Sequence, residues 1–322
     1  MKKFIITLIC LAFIFTFLLT IKNTRKTNEN TLTKVKVAEV THSLFYTPLY
    51  VAHSLGYFED NGLDVEIILT SGADKVAAAV MSKDVQIGFC GSEQTVYIYN
   101  RGAKDYLINF AGLTKKDGSF IVSRNKMDNF NLTDLNGKTI LGGRNGGMPA
   151  MTLNYTLNQN KIKSKIDTSV DFANLAGSFI SGNGDYVTLF EPNALTLEKE
   201  NKGYVVKSVG EIGGEVPYTT FNALKSYIED NPDTIKKFRD ALQKGIDYTL
   251  NNSDEKIATL LIDYFPDTSL NDIETVIKRY RQIDAWYKNT NIPEEGFNHM
   301  QDIIEYNGFL DKRVDFKKLY YE

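Results

Sequence analysis

The sequence predicts an α/β fold of two lobes that is followed by a helical segment. Short apolar strands alternate with helices from about residue 34, a pattern typical of parallel sheets that helices cover on both faces. The alternation begins again after "TKKDGSFIVSR", and only helical patterns follow "GGEVPYTTFNAL". A chain of 322 residues is also long enough for two domains of ordinary size.

The first lobe is predicted from strands that each lead into a helix or a loop. The strand patterns are "KVKVAEV", "LDVEIIL", "VQIGFCG" and "DYLINFAGL". Helical patterns lie between them, in "TPLYVAHSLGYFEDNG", "ADKVAAAVMSKD" and "SEQTVYIYNRG". Gly62 marks the end of the first helix, and Ser92 is a favourable cap for the third. We expect these elements to form one sheet with its covering helices.

The second lobe repeats the pattern and is joined to the first by two crossings. Its strands are predicted in "GKTILGG", "TSVDFA", "DYVTLF" and "YVVKSVG", with helices such as "GMPAMTLNYTLNQN" between them. Short crossings near residues 114–119 and 215–221 are predicted to act as hinges. The predicted first lobe therefore comprises residues 34–116 and 219–322, including the terminal helices, and the second comprises residues 117–218.

The N-terminus carries an apolar run over residues 4–21, which follows two lysines. As a helix it would span about 27 Å, close to the ~30 Å hydrocarbon core of a bilayer. No small-x-small cleavage site follows the run, and the residues before Cys10 lack the pattern of a lipoprotein signal. We therefore predict an uncleaved membrane anchor over residues 1–22, with a cleaved signal peptide as the alternative. The polar residues 23–33 are predicted to link it to the exported domain.

Composition and the rare reactive residues exclude several classes of protein. A net charge of -3 gives no general attraction to nucleic acid. Cys90 is the one cysteine outside the N-terminal run, so the exported part cannot form an internal disulfide or a cysteine metal cluster. Its apolar flank favours a buried thiol over a nucleophile. The three histidines are too scattered to predict a metal site.

Loops that follow the predicted strands are the candidate binding site. In open parallel sheets, ligands bind beyond the carboxyl ends of the strands, where loops lead into helices. Here these loops are rich in Ser, Gly, Asn and acidic residues, and "SLFYTP" adds two aromatic rings. No catalytic residue, metal ligand or cofactor is predicted. The predicted ligand-binding residues are Ser43, Phe45, Tyr46, Gly72, Asp74, Ser92, Glu93, Thr114, Asp117, Arg144, Asn145, Gly146, Gly147, Glu191 and Tyr218.

Each of these signals also has a simpler structural interpretation. Phe45 and Tyr46 could be core residues, and "GGRNGG" could be an ordinary flexible turn. The glycine spacing of that loop matches neither a phosphate-binding loop nor a dinucleotide-binding loop. Glu93 and Glu191 begin predicted helices, where a carboxylate also favours the helix dipole.

The order of several phrases in the sequence resembles one protein family. "YTPLYVAHSLGYFEDNGLDVEI", "GADKVAAAV", "VQIGFCGSEQ" and "DLNGKTI" are similar to the solute-binding proteins of ABC importers. The nearest group includes receptors for nitrate, sulfonates, taurine and thiamine-pyrimidine precursors, and the resemblance covers about residues 35–306. It implies a periplasmic-binding-protein type II fold, whose hinged lobes close on a solute without chemistry. It also implies an ABC permease and its ATPase as partners, a monomer, and the extracytoplasmic face of the bacterial membrane, anchored or secreted.

One branch of similar fold is enzymatic. The thiamine-pyrimidine synthases consume their own histidine and a lysine-bound pyridoxal phosphate. They carry a cluster of cysteines where this chain has "GFCGS", with Cys90 alone. The N-terminal apolar run also argues against an intracellular synthase. A synthase-like enzyme is therefore the weaker alternative, and the resemblance implies no cofactor for this chain.

The charges of the candidate loops bear on the kind of solute. The loops hold Asp74, Glu93, Asp117 and Glu191 against Arg144, and burying an anion beside carboxylates is costly. A nitrogen-containing solute such as an aminopyrimidine would stack on the aromatic pair and donate to Glu191, which matches an acidic-Pro pair in similar receptors. The alternative is a sulfonate, taurine or nitrate held by serine hydroxyls and the "GGRNGG" amides, with the carboxylates solvated.

Overall fold

Two five-stranded sheets, each covered by helices, form the framework of the chain. The structure is a computed structural model that describes residues 32–322. Within that part of the chain, no helix is both long enough and apolar enough to cross a membrane. The predicted anchor lies outside the described residues, as does most of the predicted linker.

The strands of the described residues divide between the two sheets. The first sheet takes its strands from both ends of the described chain, and the second takes them from the middle. In chain order the strands are β1 (Thr33–Glu39), β2 (Leu63–Leu69), β3 (Ile87–Cys90), β4 (Leu107–Thr114), β5 (Phe120–Ser123), β6 (Thr139–Leu141), β7 (Lys165–Asp167), β8 (Tyr186–Leu189), β9 (Tyr204–Ser208) and β10 (Thr219–Leu224). The first sheet has the order β2-β1-β3-β10-β4, and the second has the order β7-β6-β8-β5-β9.

Both sheets are mixed, which corrects the purely parallel sheets expected from the sequence. β1 runs parallel to β3, but β10 runs antiparallel to both β3 and β4. In the second sheet, β6 is parallel to β7 and β8, whereas β5 is antiparallel to β8 and β9. β5 and β10 directly follow the two crossings between the sheets. Each therefore enters its sheet from the crossing and runs against its neighbours.

Helices cover the sheets and form a C-terminal segment that follows β10. The single helix predicted after "SLFYTP" is in fact two helices, and a 3-10 turn at Leu44–Tyr46 precedes them. In chain order the helices are α1 (Thr47–Ser54), α2 (Tyr57–Asp60), α3 (Ala73–Met81), α4 (Glu93–Asn100), α5 (Met148–Gln159), α6 (Leu175–Ile180), α7 (Asn193–Lys199), α8 (Val209–Gly213), α9 (Lys225–Asp230), α10 (Pro232–Asn251), α11 (Asp254–Leu261), α12 (Leu270–Gln282), α13 (Glu294–Tyr306) and α14 (Phe316–Leu319).

Helix α10 shows why the C-terminal segment packs on the first lobe. Pro232 begins the helix, where a missing backbone N–H costs nothing. Ile235, Phe238, Leu242 and Ile246 recur at helical spacing, and all four are fully buried. Burying each such side chain contributes about 1.5–3 kcal/mol. This apolar face lies against α1 and α2, so α10 holds α1 and the loop before it in place.

Two antiparallel segments connect the sheets side by side. The Val216 N–H donates to the Lys115 carbonyl at 3.0 Å, and the Tyr218 N–H donates to the Thr114 carbonyl at 3.0 Å. The Lys115 ammonium also pairs with Glu215 at 3.0 Å. A paired connection of this kind forms the hinge of a two-lobed fold, because a few residues can absorb the rotation of one lobe against the other.

Candidate ligand-binding site

The segment "SLFYTP" forms the loop between β1 and α1. Ser43 Oγ accepts from the Phe45 N–H at 3.2 Å, and the Thr47 hydroxyl donates to the Leu44 carbonyl at 2.6 Å. The Trp286 indole N–H donates to the Phe45 carbonyl at 2.8 Å. These hydrogen bonds hold the backbone of the turn in one conformation. That conformation sets the directions in which the side chains of Phe45 and Tyr46 leave it.

Phe45 lies in the cleft between the two lobes and is 1% exposed. Its ring centroid is 4.9 Å from that of Tyr280, 5.9 Å from that of Tyr218 and 6.0 Å from that of Phe190, which follows β8. A Cβ at Gly118, in the first crossing, would come within 2.8 Å of the Phe45 ring, so this position needs glycine. Residues of both lobes therefore bury Phe45, within a continuous apolar core to which both lobes contribute.

Tyr46 turns toward the first sheet. Its ring meets the ring of Phe89, in β3, edge-on at 4.4 Å and lies 5.6 Å from that of Phe45. Tyr46 is 3% exposed, and burial raises the pKa of its hydroxyl. The two rings of the loop thus have different neighbours: Phe45 contacts the second lobe, and Tyr46 is anchored on the first sheet.

Glu93 begins α4, and its side chain is buried. Oε1 accepts from the Gln94 amide at 3.2 Å, whereas Oε2 has no hydrogen-bond partner among residues 32–322. A Cβ at Gly91 would lie 2.1 Å from Oε2, so the glycine leaves the space into which the carboxylate folds back. Burial raises the pKa of Glu93, and the charge of Arg144 opposes this only in part.

Asp117 lies in the first crossing and is also fully buried. Oδ1 accepts from the Ser119 N–H at 2.7 Å and from the Ser119 hydroxyl at 2.5 Å, while Oδ2 has no partner in the described part of the chain. Burial raises the pKa of Asp117. Burial also raises the pKa of the nearby Tyr218, and the charges of Asp117 and Glu93 raise it further. Two buried acids therefore act on one tyrosine, and each keeps an oxygen without a hydrogen-bond partner among residues 32–322.

Glu191, in the loop after β8, is engaged by other parts of the protein. One carboxylate oxygen pairs with Arg279 of α12, and the other accepts the Leu195 N–H at 2.9 Å. Arg279 also pairs with Glu198 at 2.6 Å. Burial raises the pKa of Glu191, and the charge of Arg279 opposes the rise. The carboxylate thus joins the second lobe to the C-terminal segment, and its role toward a ligand stays a prediction.

The rim of the cleft holds the more exposed residues of the predicted set. Arg144 and Asp74 meet across the rim at 3.4 Å, and both side chains are exposed. An exposed pair at this distance contributes little to stability. The same rim loops contribute Gly72, Asn145, Gly146 and Gly147.

The predicted hydroxyl donors differ in whether the fold already uses them. Ser92 Oγ donates to the Pro217 carbonyl at 2.6 Å, which ties the loop after β3 to the second crossing. Ser43 Oγ accepts from its own loop. Thr114 Oγ1 is buried and has no partner within residues 32–322. The proton of Ser92 is therefore committed to the fold and is not available to an anion.

Two residues of α12 belong to the cleft although the sequence did not indicate them. The Tyr280 hydroxyl donates to the Gly118 carbonyl at 3.3 Å and accepts from the Glu191 N–H at 3.3 Å. Arg279 pairs with the Glu191 side chain. Both residues lie on an amphipathic helix far along the chain, and helical spacing says only which face is buried. Identifying them requires knowing which loop α12 meets.

Two surface cavities lie away from this cluster of rings and acids. One of about 850 Å³ is lined by residues of the second crossing and α13, including Glu215 and His299. Another of about 530 Å³ lies beside His42 and His53. Across residues 32–322, no group of His, Cys, Asp and Glu could hold a metal ion. The cluster in the cleft is therefore the candidate site because of its chemistry and not because it is an open cavity.

The chain matches a known protein family over more than half of its length. The family model described as NMT1/THI5 like matches residues 45–256, from the aromatic loop to α11. The chain belongs to the NMT1/THI5-like family. The family predicted from the sequence is thereby confirmed.

Relatives of this NMT1/THI5-like chain agree with the assignment. The chain is 45% identical over 295 residues to YtlA of Bacillus subtilis (strain 168), which is described as a candidate binding protein. That alignment covers 90% of this chain and 88% of the relative.

Solved structures show the fold. The periplasmic aliphatic sulphonate binding protein SsuA of Escherichia coli superimposes with a TM-score of 0.71 at 16% identity, covering 89% of this chain and 97% of that one. The periplasmic nitrate-binding protein NrtA of Synechocystis PCC 6803 gives a TM-score of 0.67 at 16% identity, covering 90% of this chain and 86% of that one. The predicted periplasmic-binding-protein fold is confirmed.

Proposed function

We propose that this NMT1/THI5-like protein is the extracytoplasmic solute-binding protein of an ABC importer. It holds a small nitrogen-containing solute, such as an amino-substituted heteroaromatic ring, between its lobes and delivers it to a membrane permease with its ATPase. The family supports this role, as do structural neighbours named for binding aliphatic sulphonate and nitrate. These neighbours are binding proteins and not enzymes.

The observation that carries the solute class is the pair of buried carboxylates, Glu93 and Asp117. Each keeps one oxygen without a partner among the described residues. A buried carboxylate oxygen is costly unless an N–H or O–H donor reaches it. A solute with N–H donors supplies that partner, and its ring would stack on Phe45 or Tyr46. Glu191 would join these acceptors only by exchanging Arg279 or Leu195 for the solute.

An anion receptor is the second candidate function, because the structural neighbours are named for sulphonate and nitrate. Its support in this chain is Arg144, together with the backbone amides of the glycine-rich rim loop. Arg144 is exposed and already faces Asp74. An anion deeper in the cleft would meet Glu93 and Asp117, beside which it could be buried only while both acids stay protonated, because ionised carboxylates repel it. The nitrogen-containing solute therefore fits these residues better.

The lobes and the cellular location complete the proposal. We assign residues 34–116 and 219–322 to the first lobe and residues 117–218 to the second, because the strands of each sheet fall within these ranges except for Thr33 at the start of β1. The hinge is then the pair of crossings. We place the protein as a monomer on the outer face of the membrane, held there by residues 1–22 or released from them.

Thermal unfolding of the full-length protein in mild detergent tests the solute class. Aminopyrimidines should raise the melting temperature, since a ligand at 100 times its Kd adds about 2.7 kcal/mol to the free energy of unfolding. Taurine, ethanesulfonate and nitrate at the same concentrations should leave it unchanged. Stabilisation by the anions alone would replace this proposal with the anion receptor.

A further inference from the structure

Among the residues that the structure describes, the buried acid Asp117 has no counter-charge, although two lysines precede it in the chain. Lys115 Nζ lies 2.6 Å from Asp284, and Lys116 Nζ donates to the Ile283 carbonyl at 2.9 Å. Both ammonium groups are therefore turned toward the segment after α12. The donors that reach Asp117 are the neutral groups of Ser119, with the Tyr218 hydroxyl nearby.

Glu93 is in a similar position, and its charge also acts on Tyr218. The donors that act on its carboxyl group are neutral: the Gln94 amide at 3.2 Å and the backbone N–H of Glu93 itself. The cation that acts on it is Arg144, from the opposite rim of the cleft. Arg144 is exposed and lies 3.4 Å from Asp74. Solvent ions therefore screen its charge, and Asp74 partly neutralises it.

The other titratable groups that face the two acids are neutral near pH 7. Burial raises the pKa of each of them, and neighbouring carboxylates raise it further. Two more acids act on the same tyrosines, but Glu39 accepts from the Tyr50 hydroxyl and Glu191 pairs with Arg279. The neutral groups are Tyr46, Cys90, Tyr97, Tyr218 and Tyr280.

An ionised carboxylate in such surroundings is costly. Transfer of a charge from water to a buried site without a partner is so unfavourable that the group takes up a proton instead. Glu93 and Asp117 share this condition, and each has an unpaired oxygen within the described chain. A ligand that brings positive charge would reverse this preference for the protonated form, because an opposite charge at hydrogen-bond distance favours the ionised carboxylate.

We propose that the solute is an organic cation and that its capture expels protons from Glu93 and Asp117. This inference rests on the proposed solute-binding function and narrows the solute to a protonated amine or amidinium. The aromatic rings of Phe45, Tyr46 and Phe190 favour a flat body on that cation, because ring faces attract both apolar area and positive charge. Glu93 and Asp117, whose charges both act on Tyr218, then accept hydrogen bonds from its N–H groups.

The pH dependence of binding follows from the direction of the proton transfer. Without solute, the pKa values of both acids are raised, and the bound cation lowers them. Protons therefore leave on binding at every pH between the bound and the unbound pKa values. Within that window the affinity rises up to tenfold per pH unit for each proton released, and above the unbound pKa it becomes constant.

Three probes of one shape and different charge test the proposal on the full-length protein in mild detergent. Benzamidine is a cation, benzamide is neutral and benzenesulfonate is an anion. Isothermal titration calorimetry at pH 5 and pH 7.5 should show that benzamidine binds most tightly of the three. The affinity for benzamidine should be at least tenfold higher at pH 7.5 than at pH 5. Titrations in two buffers of different ionisation enthalpy should show protons released on binding.

Two conservative variants identify the groups that lose the protons. Glu93→Gln and Asp117→Asn keep the shape of each side chain and should each lower benzamidine affinity at pH 7.5 by about tenfold or more, consistent with loss of a charged hydrogen bond. Each should also reduce the number of protons released. Glu255→Gln, at an exposed site on α11, is the matched control and should change neither quantity.

The outcomes separate this inference from the function on which it rests. Three outcomes would overturn the proposal that the solute is an organic cation. They are equal affinity for benzamide and benzamidine, benzamidine binding without proton release, and no binding of benzamidine. Binding of a neutral aminopyrimidine without proton release would also overturn it, yet would leave the solute-binding function standing. Tight binding of benzenesulfonate that Glu93→Gln does not alter would overturn it in favour of the anion receptor.

Discussion

At the scale of the residue, the cleft is marked by acids that the fold does not satisfy. Most buried polar atoms in folded proteins have a hydrogen-bond partner, so each exception calls for an explanation. Glu93 Oε2 and Asp117 Oδ2 are such exceptions within residues 32–322. Gly91 provides the space for the first of them. A site that keeps these acids unpaired is less stable than the surrounding protein, which is typical of binding sites.

Glu93→Gln should therefore stabilise the protein when no solute is added. The pKa of Glu93 is raised in the folded protein above its usual value of 4.5. As pH rises above about 4.5, the unfolded chain loses this proton before the folded chain does, so the wild-type protein loses stability through the window up to the folded pKa. The glutamine variant has no such loss. Its melting temperature should exceed that of the wild type at pH 7.5 and match it near pH 4.

Scanning fluorimetry across this pH range measures the difference, with Glu255→Gln as the control that should follow the wild type throughout. An equal destabilisation of Glu93→Gln at both pH values would contradict the prediction, because it would mean that a partner already satisfies the carboxylate.

Residue type and loop position led to the prediction of Phe45, Glu93 and Asp117, which the structure places near Tyr218. The same reasoning could not find Arg279 or Tyr280. A residue on a late amphipathic helix is known from sequence only by its face, and the loop that it meets depends on how the whole chain folds. For the same reason the sequence could not show that Glu191 has a partner in Arg279.

At the scale of the element, α12 connects the two lobes through the ion pairs of Arg279 with Glu191 and Glu198, which we call the clasp. It packs on α11 and on the 3-10 turn that carries Phe45. Its Arg279 pairs with two residues of the second lobe, Glu191 in the loop before α7 and Glu198 within α7. The segments of β5 and β10 were predicted as crossings between the lobes and not as sheet strands, because they lie where the alternating pattern is interrupted. The contacts that α12 makes with both lobes depend on how the whole chain folds, and so they could not be predicted either.

Arg279→Met should destabilise the protein by about 3–5 kcal/mol, since it leaves the buried Glu191 without its counter-charge. Adding Glu191→Gln to this variant should recover part of the loss, because the unpaired charge is then removed. Urea unfolding of the single and double variants gives the coupling between the two residues.

The control for this cycle is Arg313→Met, which breaks an exposed pair with Glu305 on the surface of the C-terminal segment. Its cost should stay within about 1 kcal/mol. If Arg279→Met costs no more than Arg313→Met, the clasp does not contribute to stability and the assignment of a buried ion pair is wrong.

At the scale of the whole molecule, polar contacts on the surfaces of the two lobes favour closure. Lys199 pairs with Asp272 at 2.7 Å, and the Asn154 amide donates to Asn307 at 2.8 Å. These groups would be solvated if the lobes moved apart, so each contact contributes only a small net free energy. A balance of such small terms lets a bound solute shift the population toward the closed form.

Asp272→Asn should shift that balance toward the open form with little change in melting temperature. The variant loses an ion pair that joins the lobes, while Ser269 still caps α12 through the backbone N–H of residue 272. A loss of about 1 kcal/mol changes the ratio of the two forms by about fivefold. Small-angle scattering should show a larger radius of gyration, and the affinity for benzamidine should fall by a similar factor, because fewer molecules are competent to bind.

Asp254→Asn is the matched control, because Asp254 pairs with Arg281 at 2.8 Å between α11 and α12, which pack together. It removes the same kind of charge from the same segment without separating the lobes. Its radius of gyration and its affinity should equal those of the wild type. If both variants expand the protein equally, the change reflects loosening of the C-terminal segment and not opening of the cleft. If neither does, closure does not depend on the Lys199–Asp272 pair, and the buried clasp at Arg279 remains the contact that holds the lobes together.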